Sequence, residues 1–270
     1  MTVAKFAVFA TIGIMSLPDN YTNYISRIMA SITTNHYSLL RPMLLKYYSS
    51  IYSADITPND LKAPSFIDFF TRERSRPILL SEREFVSPCD GQLYWQGTCR
   101  INEDIGGMTL QEILKMDNSD KTSLWDYYIL YLAPGDYHRF HSPSDLIIDE
   151  LLHYTGPLKP VAPWYFRYSL KPFSDNERII YYGKTMENIK VIYSAIGALH
   201  VGSIELNHIN LMTNKSGISK RYKIDPLRIK KGQELGRFNL GSCIVMAKES
   251  KSSSSTFQII NERTEVGEAI

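Results

Sequence analysis

The sequence predicts an α+β protein, with N-terminal amphipathic helices followed by one β-rich body. Three observations carry that reading. Apolar residues recur at helical spacing up to Tyr52, and from Phe85 onward short β-prone runs alternate with turn residues. The 270-residue chain also holds 18 tyrosines, a residue type that suits the pleated surface of a sheet. Hydrophobic residues at 44% and charged residues at 21% are those of a folded globular chain long enough for a substantial core. The net charge is only +2 and there is no Lys/Arg block. Nucleic acid is therefore not an expected partner, while a weak attraction to anionic lipid is compatible. Cys89, Cys99 and Cys243 have neither metal-ligand spacing nor the pattern of a disulfide framework, and they read as reduced, buried thiols.

Residues 3–17 are apolar except for Lys5 and a few small polar residues, and Pro18-Asp19-Asn20 closes them. The positive segment before them is minimal and no small-residue cleavage site follows, so an interfacial or core helix is expected rather than a secretory signal. No run reaches the roughly eighteen apolar residues of a spanning helix. Residues 21–32 place Ile25, Ile28, Met29 and Ile32 at helical spacing, and 37–52 align Leu39, Leu40, Met43, Leu44 and Tyr47. Two placements suit these helices: on a bilayer surface, or packed as a cap on the body. Residues 66–78 read as a phenylalanine-rich helix running into a solvated charged loop. Strands are expected at Gln92-Leu93-Tyr94-Trp95, over 127–132, 178–182 and 189–193, and at Ala198-Leu199-His200-Val201, with one helix over 109–115. Residues 249–255 form a polar loop, and 257–260 add a last edge strand. No repeat or linker divides 55–270, so the chain is read as helices over 1–54 and one domain over 55–270.

Of the six histidines, His36, His153, His200 and His208 stand without a partner pattern. His138 and His141 lie three apart beside Asp136, Arg139 and Pro143. Two histidines with no suitably spaced third ligand do not make a metal site, and none is expected. Asp90, before Gly91, reads first as an Asp-Gly turn residue; in a functional reading it orients an imidazole. Gly241-Ser242 reads first as an ordinary turn. An Asp, a His and a Ser brought together by a fold can also form an activated nucleophile.

The order of motifs goes further than any one of them. Phe69-Phe70-Thr71-Arg72 with Arg76-Pro77-Ile78, then Ser87-Pro88-Cys89-Asp90-Gly91, then Asp136-Tyr137-His138-Arg139-Phe140-His141-Ser142-Pro143 come first. Asn176-Glu177-Arg178, Gly197-Ala198 through Val201-Gly202-Ser203-Ile204, and Lys231-Gly232 through Gly241-Ser242 follow. This series, spanning about 66–245, resembles the phosphatidylserine decarboxylase family. The resemblance implies a self-processing proenzyme cut between Gly241 and Ser242. Ser242 then becomes a covalent pyruvoyl (pyruvate) group heading a small subunit, 242–270, that stays with the large subunit, 1–241. It implies a Schiff base between that group and phosphatidylserine, with loss of CO2 to give phosphatidylethanolamine. His141, oriented by Asp90, is the expected base for Ser242 in processing, and His138 the expected aid to decarboxylation or the protonation after it.

The implied partner is phosphatidylserine in membranes, and a homodimer is a family-level expectation. The implied location is peripheral, on the cytoplasmic face of the cell membrane. The sequence departs from the family pattern at Cys243, where Thr or Ser is usual, and at Cys89, where a small residue such as Ala is common. The segment between Arg72 and Pro77 is also shorter than usual. Two other readings stand beside this one. A related pyruvoyl-dependent enzyme would decarboxylate a soluble amino acid, and a non-catalytic lipoyl-carrier-like module would keep an intact peptide bond at Gly241-Ser242.

Overall fold

The computed structural model describes residues 19–34, 41–117, 122–166, 169, 171–199, 203–214, 217–239 and 241–270. Helices α1 (Asp19–Thr34), α2 (Arg41–Tyr52) and the short α3 (Phe66–Phe70) precede the first strand. The body contains β1 (Gly91–Arg100), β2 (Leu124–Leu132), β3 (Arg139–His141), β4 (Leu146–Tyr154), β5 (Arg178–Thr185) and β6 (Lys190–Gly197). It is completed by β7 (Ile204–Leu206), β8 (Lys220–Ile229), β9 (Glu234–Phe238), β10 (Ser242–Glu249) and β11 (Thr256–Thr264). Three short helices interrupt the strands: α4 (Leu110–Leu114), α5 (Pro163–Phe166) and α6 (Pro172–Asp175).

Eight strands form one sheet in the order β11-β1-β2-β10-β6-β5-β4-β8, and β3-β9-β7 form a second. Every pairing is antiparallel. Both faces of the large sheet are covered. On one, Trp125, Ile129, Ile196, Cys243 and Val245 pack with Ile113 and Leu114 of α4 and Phe173 of α6. On the other, Leu130, Ala195, Ile244 and Met246 pack with Phe140, Ile204, Leu235 and Phe238 of the small sheet. β10 lies between two strands and between two cores, which is why Cys243-Ile244-Val245-Met246-Ala247 is apolar without alternation. Burying a side chain of that size stabilises the fold by about 1.5–3 kcal/mol.

Local chemistry fixes the elements around this core. Thr109 caps α4 in a reciprocal capping box with Glu112, and Lys115 ends the helix in the left-handed region at φ 51°. Gly91 opens β1 where no other residue fits: a Cβ there would stand 2.6 Å from the Tyr131 carbonyl oxygen. The Asp90-Gly91 pair thus leads into a strand pressed against β2, not a free turn. The expected last strand is present as β11, at the sheet edge.

Two expectations change in part. Residues 72–76 are the expected solvated loop only in part: Glu73, Ser75 and Arg76 are exposed, whereas Arg72 is buried and the Arg74 side chain nearly so. β6 ends at Gly197, so Ala198 and Leu199 lie beyond the strand; His200 and Val201 fall outside the described residues. The helix expected over 3–17 and the first residues of the one expected over 37–52 also fall outside them, the rest of the latter being α2.

In α1 and α2 the small polar Thr22, Ser26 and Ser49 are buried with Leu45. Tyr21, Tyr24, Ile28, Met43, Leu44, Tyr47 and Ile51 are exposed. Hydrogen bonds from Asn23 to the Gly156 carbonyl (3.1 Å) and from Tyr48 to the Pro134 carbonyl (2.7 Å) tie the helices to the body. Among the described residues no helix is long and apolar enough to cross a membrane.

Candidate active site

Ser242 is the first residue of β10, paired with Leu132 of β2 on one side and Gly197 of β6 on the other. It is fully buried, and among the described residues its Oγ has no hydrogen-bond partner. A buried hydroxyl left in that condition costs about 1–3 kcal/mol, so a structural role does not explain it. The residue before it, Gly241, has φ 34°, a conformation that side chains with a Cβ resist. The frame around this peptide is rigid. Asn176 Nδ2 donates to the Gly197 carbonyl (2.8 Å) and to the Lys159 carbonyl (2.7 Å), while Gly197 N–H donates to the Glu177 carbonyl (2.9 Å). The Asn-Glu-Arg motif therefore braces the strand end opposite Ser242. Arg178 is fully buried and donates to the carbonyls of Asn176, Ile113 and Phe173.

Where β10 enters the large sheet, β2 leaves it, and the segment after β2 carries both candidate histidines. Asp136 shapes that segment: its Oδ2 accepts from Ala133 N–H (2.7 Å) and its Oδ1 from Arg263 (2.8 Å). The His138 carbonyl accepts from Phe238 N–H (2.9 Å), four residues before Ser242. His138 Nδ1 lies 2.8 Å from the Asp136 carbonyl. A carbonyl only accepts, so Nδ1 carries the proton and Nε2 the lone pair. Nε2 is buried and, among the described residues, unpartnered. Burial pushes the imidazole down to about 3, Arg72 also opposing its charge, so it is a neutral base at ordinary pH. Phe70 packs against it with ring centroids 4.0 Å apart and planes tilted by 42°.

His141 sits on β3 just after a register shift between Phe140 and His141, which re-aims the side chain. Its Nδ1 donates to the Gly232 carbonyl (2.8 Å), which leaves Nε2 as the acceptor of the Tyr137 hydroxyl at 3.0 Å. Burial holds its pKa below the ordinary value. The expected orienting contact from Asp90 is not what holds this ring. Asp90 Oδ2 is engaged by Arg74 Nε (3.2 Å) and Oδ1 by Val266 N–H (2.9 Å). The reason is local: the buried Arg74 claims the carboxylate, and the chain end crosses the Asp90 loop. Asp90 lies near enough for its charge to favour a protonated His141, but it acts across space.

Cys243, which follows the serine, packs with Trp125 and Val245 on one face, whereas Ile244 and Met246 share the other face with the small sheet. Alternation along the strand therefore turns the thiol away from Ser242. Burial pushes both the Cys243 and the Cys89 thiols well up, so neither is a thiolate. Gly202 falls outside the described residues; Ser203 accepts from Asn239 at both its carbonyl (2.9 Å) and its hydroxyl (2.8 Å), pinning the approach to the Gly241-Ser242 bond. Sequence reasoning assigned no role to Phe70, Arg72, Arg74 or Tyr137. Arg72 donates to the carbonyls of Asp55 (3.0 Å) and Gly135 (2.8 Å), and so anchors the histidine segment to the end of α3. A charged cluster directly after an aromatic helix was the available signal.

A buried serine behind a left-handed glycine, with two neutral imidazoles on the neighbouring segment, places this chain among enzymes, and the comparisons place it among the carboxy-lyases. The model of the phosphatidylserine decarboxylase family matches residues 64–270. A phosphatidylserine decarboxylase proenzyme of Plasmodium falciparum is 31% identical over 255 residues, covering 84% of this chain and 70% of that protein. Proteins of the same name from Helicobacter pylori strain J99 and Coxiella burnetii strain RSA 331 are 28% and 29% identical, with 83% and 82% of this chain covered and 88% and 84% of theirs. The chain belongs to the phosphatidylserine decarboxylase family and is a decarboxylase.

Proposed function

We propose that this protein is a self-processing proenzyme that, once cut, decarboxylates phosphatidylserine to phosphatidylethanolamine. The observation that carries the processing step is the buried Ser242 Oγ, unpartnered among the described residues, directly behind Gly241 at φ 34°. Ser242 Oγ attacks the Gly241 carbonyl carbon, and His141 takes its proton, with the Asp90 charge favouring the imidazolium that results. The peptide C–N bond breaks as the proton passes to nitrogen, giving an ester. Loss of the Cα proton and cleavage of the Cβ–Oγ bond leave a Gly241 carboxylate and a dehydroalanine, which takes up water and releases ammonia. The residue that remains is a pyruvoyl group, and the site suits it: β10 starts there, the neighbouring thiol is turned away, and no charged side chain occupies Ser242's place. When formed, that ketone supplies an electron sink for the carbon that loses CO2.

His138 serves the second reaction. Its neutral Nε2, open among the described residues and walled by Phe70, is suited to move the proton that replaces the carboxylate. Residues 1–54 are the membrane-associating segment and 55–270 the catalytic domain in this reading. The outward Tyr21, Tyr24, Ile28, Met43, Leu44, Tyr47 and Ile51 favour a lipid substrate over a soluble amino acid. The enzyme is then peripheral, on the cytoplasmic face, with the 242–270 fragment retained and a homodimer as the family-level assembly.

Intact mass of the purified protein under denaturing, reducing conditions tests the processing: two species, 1–241 and 242–270 with a pyruvoyl end, are expected. A single uncut chain would sink it. Release of CO2 from phosphatidylserine vesicles, and not from free serine, tests the substrate.

A further inference from the structure

The Tyr137–His141 pair is not explained by the reaction as written above, and the following rests on His141 being the processing base. Four observations define the pair. The Gly232 carbonyl takes the Nδ1 proton of His141 at 2.8 Å, so only Nε2 can act as a base. The Tyr137 hydroxyl lies 3.0 Å from that same Nε2 and donates to it. The two rings are stacked, with centroids 5.7 Å apart and planes inclined by 26°. Both residues are buried, and the Asp90 carboxylate is turned to Arg74 and Val266 instead.

We propose that Tyr137 is a positioning residue that caps the base nitrogen of His141 in the uncut chain, so that self-cleavage waits on the tyrosine hydroxyl leaving it. The Ser242 proton and the Tyr137 proton compete for one lone pair, and a donor already in place at hydrogen-bond distance holds that lone pair until it moves. Because the cap bonds the neutral form of the imidazole, it adds to the burial that keeps His141 uncharged. The charged groups that face the pair are Glu234 and Asp90, which favour an imidazolium, Arg139, which opposes one, and Arg74, which with Arg139 lowers the pKa of the Tyr137 hydroxyl. All four stay in place when only the hydroxyl is removed, so the substitution isolates the cap.

The test is Tyr137→Phe, which keeps the ring stack. In the uncleavable Ser242→Ala chain, the His141 titration followed by NMR should move upward by about half a pH unit or more, the effect of losing one hydrogen bond to the neutral ring. In the cleavable chain, the rate of cutting at the alkaline plateau should rise several-fold, with the acid limb displaced upward to match. A His141 midpoint that stays or falls, or a plateau rate that is unchanged or lower, would overturn the cap. A parent chain that never cuts would refute the processing reading instead, and the titration comparison would still decide whether Tyr137 caps His141.

Discussion

At the scale of single residues, His138 has the most exposed consequences. Its Nδ1 proton is committed to the Asp136 carbonyl and its Nε2 is, among the described residues, open. Replacing it with alanine should leave cutting at Gly241-Ser242 intact on a denaturing gel while decarboxylation falls by at least about 100-fold, the usual scale of a lost general acid or base. His141→Ala and Ser242→Ala should stay as one chain. If His138→Ala stayed uncut and His141→Ala did not, the two roles would be reversed. A second prediction follows from burial. His138 is pushed from 6.5 to about 3, so below pH 6.5 the unfolded chain takes a proton that the folded chain refuses. Stability is complete above that pH and is lost as pH falls, by about 1.4 kcal/mol per unit for this residue alone. Urea unfolding of the Ser242→Ala chain between pH 7 and 5 should show that slope, reduced in His138→Gln. Both histidines, Ser242 and Asp90 stand out as candidates in the sequence because their motifs are local. What held them was not. Nothing near Asp90 in sequence announces that Val266, at the far end of the chain, donates to it, and a one-residue bulge at Phe140/His141 decides where an imidazole points.

At the scale of elements, β10 and the segment that anchors the histidines matter most. The run 243–247 is apolar at every position, and periodicity alone does not separate such a run from a short buried helix; its place between β2 and β6 depends on pairings far apart in sequence. The strands with alternating or aromatic-rich patterns, such as β2 and β5, were easier to read. The loop after Phe70 is only partly solvated because Arg72 and Arg74 find carbonyls and carboxylates that only the tertiary fold supplies. Arg72→Ala should destabilise the Ser242→Ala chain by about 2–4 kcal/mol in denaturant titration, since several buried carbonyls lose their donor at once. It should also slow cutting in the cleavable chain, because residues 133–138 lose their tie to α3.

For the molecule as a whole, α1 and α2 bury Thr22, Ser26 and Ser49 with Leu45 while Tyr21, Tyr24, Ile28, Met43, Leu44, Tyr47 and Ile51 face outward, so much of their apolar surface is turned away from the body. Sequence periodicity identified the helices but not which side would face the body, since both faces offered residues able to pack. Met43→Glu with Tyr47→Glu should reduce sedimentation with anionic vesicles at least several-fold and leave self-cleavage unchanged. Equal binding by parent and variant would remove these positions from the membrane contact.

If the chain is cut as proposed, the position of the cut gives the mature enzyme a history that its final contacts do not contain. Severing the backbone at the doorway of β10 leaves a short peptide woven between two strands and continuing into the edge strand β11. While the chain is continuous, that peptide is delivered to its slot by its own tether at high effective concentration. Once separated it would have to find the slot from free solution and part β2 from β6 to enter. The uncut Ser242→Ala chain should therefore regain its structure when denaturant is diluted away, and the processed protein should not. On that processing, the lifetime of the mature protein is set by how slowly the sheet opens, not by an equilibrium it can revisit: folding becomes something the molecule does once, before it is a catalyst.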